Sequence, residues 1–161
     1  MPKDHETWIR RCLELAQEAR QNGDHPFGAL LLDPHGQLLL EAYNTVVSEQ
    51  NITGHAELNL IRLARQKYAA EFLAQCSLYS STEPCPMCAG AIFWGNVRKV
   101  VYGLSERGLY LVIGKESQEV LALPCREVFA RGAKAIEVIG PILESEARKV
   151  HEGFWLGPQN P

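Results

Sequence analysis

The sequence predicts an α/β protein, a three-layer α/β/α sandwich around a mixed five-stranded sheet. Three observations carry that expectation. Short apolar runs alternate with amphipathic stretches, 46% of the 161 residues are hydrophobic, and no repeat, linker or low-complexity tract interrupts the alternation. A chain of this length builds one core, so a single domain over residues 1–161 is expected.

In the first segment Trp8, Ile9, Cys12, Leu13, Ala16 and Ala19 recur at three- and four-residue steps. That is the stripe of an amphipathic helix ending near Asn22-Gly23. FGALLLD (27–33) and QLLLEAY (37–43) read as strands, and Pro34-His35-Gly36 between them has hairpin length. Helical spacing returns at Leu58, Ile61, Leu63, Ala64 and Tyr68, from His55 to about Ala70, with Thr53 placed to cap the start. CSLYS (76–80) is a brief strand. Pro84 suits a first helical turn, so CPMCAGAIFWG reads as a third helix ending at Gly95, and VRKVVYG (97–103) as the next strand. Beyond Gly103 the pattern gives a loop with a helical turn, a short helix over 126–133, a strand over 135–140 and a last helix over roughly 142–152. Phe154-Trp155 and a Pro-rich tail follow.

Composition narrows the function. With 16 Lys+Arg against 19 Asp+Glu the net charge is −3, which argues against a strong grip on phosphate backbones. Five cysteines, an odd and unevenly spaced set, point to reduced thiols rather than a disulfide framework. The N-terminal stretch carries charge throughout and no 18-residue apolar run occurs, so a cytoplasmic protein is expected. His5 and His151 sit among charges and read as solvated.

Two motifs stand out: His55-Ala56-Glu57 at one helix start and Pro84-Cys85-Pro86-Met87-Cys88 at another. A Cys-x-x-Cys at a helix N-terminus presents two sulfurs on one turn, and the positive end of the helix favours their thiolates, the form a metal needs. One imidazole from the second helix start completes a three-donor set. Structural zinc takes four protein ligands, whereas catalytic zinc keeps one position for water, so three donors point to catalysis. Cys12, Cys76, Cys125, His25 and His35 are read as core or turn residues. Glu57, two residues from His55, suits proton transfer better than ligation. A thioredoxin-like thiol redox pair also fits Cys-x-x-Cys, but leaves His-Ala-Glu without a role; a zinc-stabilised binding module lacks a fourth ligand.

These motifs, with PFGA (26–29), Asn44, TGHAE (53–57) and EPCPMCAGAIFWGNVRKVVYG (83–103), make the chain resemble the cytidine deaminase-like zinc deaminases. It is most similar to the branch of guanine deaminases and tRNA adenosine deaminases. The resemblance implies one zinc per chain on His55, Cys85 and Cys88, with Glu57 as general acid/base. It implies that Asn44 contacts the heterocycle and that backbone N–H groups near Ala56 and Cys85 support developing charge. Phe27 and Trp94 are stacking surfaces or core residues, Glu106 and Arg107 border the pocket or the solvent, and Phe154-Trp155 cap a pocket or end in the core. The implied reaction is hydrolytic deamination of a free purine base or nucleoside, as in guanine deaminases, releasing ammonia from a small-molecule substrate in a homodimer. In the loop after Gly103, SERGLYLVIGKES (105–117), only Glu106 and Glu116 supply acids, where guanine deaminases of this branch carry acids that recognise the base. Adenosine in tRNA, cytosine and a pterin therefore stay open as substrates.

Overall fold

A computed structural model describes residues 4–114 and 117–156; Glu116 and the Pro-rich tail lie outside them. Helix α1 (His5–Gln21) starts where the Asp4 carboxylate accepts the Glu6 N–H, and it buries the stripe read from the sequence, Ile9 through Ala19. Strands β1 (Gly28–Leu32) and β2 (Leu38–Tyr43) form the expected hairpin. Its turn is held by Asp33, whose Oδ1 accepts the N–H groups of His35 and Gln37, while Gly36 supplies a φ of +80°. Then follow α2 (Ala56–Lys67), α3 (Ala70–Leu73), β3 (Ser77–Thr82), α4 (Pro86–Gly95) and β4 (Lys99–Leu104). The chain closes with α5 (Glu106–Ile113), α6 (Cys125–Ala130), β5 (Glu137–Ile139) and α7 (Glu144–Lys149).

The strand order is β2-β1-β3-β4-β5. β1 runs antiparallel to both neighbours, and β3, β4 and β5 are mutually parallel, so the sheet is mixed and five-stranded as expected. Alternate side chains feed two cores. Leu31, Leu78, Val100 and Tyr102 meet α2, α3, α4 and α6 on one face; Leu30, Tyr79 and Val101 meet α1, α5 and α7 on the other. Three layers result. At Gly28 a Cβ would lie 2.4 Å from the Cys12 carbonyl oxygen, so the bare backbone lets α1 sit directly on β1. Among the described residues no helix is long and apolar enough to cross a membrane.

Several local expectations are corrected. Thr53 does not cap α2: its hydroxyl bonds Asn51 Oδ1, and His55 is the N-cap. Pro84 precedes α4, where Pro86 takes the first helical turn. The strand read as 76–80 runs on to Thr82, because Thr82 pairs with Leu104 despite its polar neighbours. Helix α3 was not anticipated, and the last helix is only six residues long.

His151 is the largest departure, since it is fully buried rather than solvated. Its ring centroid lies 5.2 Å from Phe27, and it stacks 16° from parallel on Trp155, whose Nε1–H donates to His151 Nδ1 at 3.1 Å. Burial, with the nearby Arg20 charge, lowers its pKa to about 4. The folded protein therefore holds the neutral ring while the unfolded chain takes up a proton near the ordinary value of 6.5. This stabilising contribution is present above about pH 6.5 and is lost as pH falls toward 4, with an upper bound of roughly 3 kcal/mol. The melting temperature of the wild type will accordingly drop more between pH 7 and pH 4.5 than that of His151→Phe; equal drops would remove His151 from the acid response.

Candidate active site

The first functional side chains stand at two helix starts. β3 ends at Thr82 and its continuation, Glu83-Pro84-Cys85, leads directly into α4, so Cys85 and Cys88 fall on that helix's first turn. α2 begins one residue after His55. Its approach is fixed by buried Asn59, whose Nδ2 donates to Tyr43 O, Thr45 Oγ1 and Gly54 O and so ties the preceding loop beneath the helix. The side chains at both helix starts meet at one spot beyond the carboxyl end of β3, the usual place for a site in an α/β sheet.

There His55 Nδ1 lies 3.5 Å from Cys85 Sγ and 3.5 Å from Cys88 Sγ. Zinc at 2.3 Å from sulfur and about 2.05 Å from nitrogen, with tetrahedral angles, would put sulfur and nitrogen roughly 3.6 Å apart. The spacing thus fits zinc. The hydrogen bond from Cys88, supported by His55, lowers the Cys85 pKa to about 4, which makes Cys85 a thiolate at neutral pH despite its burial. The proton of the sulfur pair stays on Cys88, whose pKa is raised well above the ordinary value by that bond and by burial; a divalent cation is the charge that displaces it. Burial opposes charge on His55, but the bond to Cys85 and the negative charges of Cys85 and Glu57 together outweigh it and raise the imidazole pKa. Cys12, Cys76 and Cys125 behave differently: burial pushes all three thiols up, Cys76 to about 11 and Cys125 to about 12, as core residues should be.

Glu57 is buried beside this donor set and accepts a 2.5 Å hydrogen bond from Ser80 Oγ. Burial raises its pKa against the lowering effect of that bond. A cleft of about 490 Å³ opens in front, lined by His55, Glu57 and Cys85 at its floor. Phe27, His25 and Trp155 form one side, and α5 with residues 118–121 forms the other.

The structure brings most of the sequence-derived residues here, though not all. Phe27 lines the cleft. Asn44 is buried beside Phe27 and Val46, accepting the Val46 N–H on Oδ1 at 3.0 Å. Ala56 is buried at the first position of α2. Trp94 is not at the site: it is 77% exposed and packs edge-on to Phe93. Six residues of α4 separate it from Cys88, roughly 9 Å along the axis and on another face. His25, read as a turn residue, lines the cleft and meets Trp155 at 5.4 Å, and Glu106 lines it too. Sequence reasoning missed Ser80, Glu83 and Tyr110; the two-residue period of a strand, which turns Ser80 to the same face as Leu78, is the one signal that points to Ser80.

Residues 2–104 match the cytidine and deoxycytidylate deaminase zinc-binding region. A probable cytosine deaminase of Schizosaccharomyces pombe is 36% identical over 93% of this chain and 91% of its own length. The guanine deaminase of Bacillus subtilis is 36% identical over 72% of this chain and 81% of its own. A solved structure from work on A-to-I editing by tRNA:A34 deaminases superposes with a TM-score of 0.72 at 26% identity, covering 90% of this chain and 99% of that one.

The donor set makes a direct prediction. Cys88→Ala removes one of three ligands, so metal analysis of the purified protein will fall from one zinc per chain to a small fraction of that.

Proposed function

The chain belongs to the cytidine and deoxycytidylate deaminase zinc-binding family, and from that premise we propose that it deaminates a free purine base or nucleoside, guanine foremost, releasing ammonia. As a member of this family it is a hydrolase acting on C–N bonds. The observation that carries the substrate reading is the cleft's lining. Among the described residues it contains Glu83, Glu106 and Glu119 and neither Lys nor Arg, a surface that repels a phosphodiester and accepts the N–H groups of a neutral base. Its volume of about 490 Å³ lies within the range of small-molecule sites and is partly closed by Trp155.

Zinc on His55, Cys85 and Cys88 supplies a Lewis acid that lowers the pKa of water from 15.7 to roughly 7. Glu57 does the proton work. Its raised pKa lets one carboxylate take a proton from the attacking water, deliver it to a ring nitrogen and assist the amine as it leaves. Ser80 holds that carboxylate in one orientation. Phe27 offers a face for the ring, and Asn44, with Oδ1 engaged by Val46, has its amide nitrogen left to address the heterocycle's edge. The first-turn N–H of Ala56 faces the developing charge.

Cytosine is the second reading, favoured by the S. pombe relative and its near-complete overlap with this chain. The five free thiols support a cytoplasmic setting, and the exposed Trp94 supports association as a homodimer.

An ammonia-release screen over guanine, adenine, cytosine and their nucleosides, alongside an inosine assay on tRNA, separates these readings. Turnover confined to tRNA would overturn the free-base proposal. Glu57→Gln is expected to retain zinc and fold while kcat drops by about 10²–10⁴-fold; wild-type ammonia release from that variant would remove Glu57 from the chemistry.

A further inference from the structure

The wall of the cleft opposite Phe27 is built from α5 and from the segment that returns toward α6. Glu106, Leu109, Tyr110 and Ile113 contribute from the helix, and Val120 and Leu121 from the return. The two parts are clipped together above the cleft. Tyr110 Oη donates to the Leu121 carbonyl at 3.1 Å and accepts the Leu121 N–H at 3.2 Å, and Glu106 Oε2 accepts the Leu123 N–H at 3.2 Å. These contacts give the wall its internal shape but leave it unattached to the metal loop.

The attachment comes from one carboxylate. Glu83 Oε1 accepts the backbone N–H of Glu106, where the wall begins, at 3.0 Å. Glu83 Oε2 accepts the backbone N–H of Cys125, where the wall ends, also at 3.0 Å. Glu83 stands two residues ahead of Cys85. A single side chain therefore joins three segments far apart in sequence: the metal loop, the first turn of α5 and the first turn of α6. Each bond is charge-assisted and satisfies a helix-start N–H that has no partner within its own helix. Neutral side chains of this length lack a second acceptor oxygen, so they cannot reproduce the pair.

We propose that Glu83 is a positioning residue that fixes the substrate-facing wall against the metal loop, and so sets how well substrate is held without touching the reacting atoms. The effect on substrate rests on the deaminase reading above, whereas the staple itself does not. Glu83→Gln keeps size and one acceptor but puts an NH₂ where the other N–H must be received.

Hydrogen exchange on the zinc-loaded protein tests the staple without reference to activity. In Glu83→Gln, amide exchange over 106–110 and 123–127 should accelerate about tenfold while α2, α4 and β3 exchange as in the wild type and zinc content is unchanged. With whichever base the screen identifies, KM should rise about tenfold and kcat change much less, the signature of lost ground-state positioning. Unchanged exchange at both wall ends would overturn the proposal, as would acceleration spread evenly across β1, β3 and the wall. A silent substrate screen would count against the proposed function and leave the exchange result to decide the staple. Glu83→Asp, which keeps two acceptor oxygens on a shorter stem, should recover part of the protection that Glu83→Gln loses; no recovery would argue that the pair of carboxylate oxygens is not what holds the wall.

Discussion

The molecule depends on the convergence of two helix N-termini on one point beyond the sheet. His55 Nδ1 lies 3.5 Å from each sulfur, and carrying thiolate charge on Cys85 and Cys88 together requires something positive to face them. The unpaired N–H groups and aligned dipoles of α2 and α4 supply that, and a cation completes it. The parallel half of the sheet is what brings α4 there, because β3 must deliver its carboxyl end straight into the Cys-x-x-Cys turn. The antiparallel hairpin serves a different end: it places Phe27 and Asn44 against the loop that Asn59 ties beneath His55.

Around this point the protein separates charge by burial. Glu57 is enclosed, which raises its pKa, and is hydrogen-bonded by Ser80, which works against that rise. Farther out, Glu83 accepts a backbone N–H on each oxygen and Glu106 accepts one on Oε2. The acids thus organise chain segments first and present what remains to the cleft. The aromatic group of His25, Phe27, His151, Phe154 and Trp155 does the corresponding work on the other side, where the neutral ring of His151 lets the tail pack without desolvating a charge.

What the sequence discloses follows from range. His55 and Glu57, or Cys85 and Cys88, sit within one helical turn of each other, so spacing alone reveals them, and the period-2 and period-3.6 apolar patterns reveal the strands and long helices. Ser80, Glu83 and Tyr110 acquire their roles through partners 23, 23 and 11 residues away, or 42 for the second arm of Glu83, and no local period records such pairings. Trp94 shows the converse error. Its place near the end of an apolar helix resembles that of a pocket residue, yet helical rotation carries it outward. His151 lies among Arg148, Lys149 and Glu152, and only the three-dimensional arrival of Phe27 and Trp155 makes it a core residue.

The mixed nitrogen-and-sulfur donor set also gives the centre an optical handle. Zinc has a filled d shell and is colourless, but cobalt(II) accepts the same ligands and geometry. With two thiolates in its coordination sphere, cobalt would give the protein visible d–d bands and a near-ultraviolet sulfur-to-metal charge-transfer band. Those bands report directly on coordination number, so the arrival of a base at the cleft could be followed by colour.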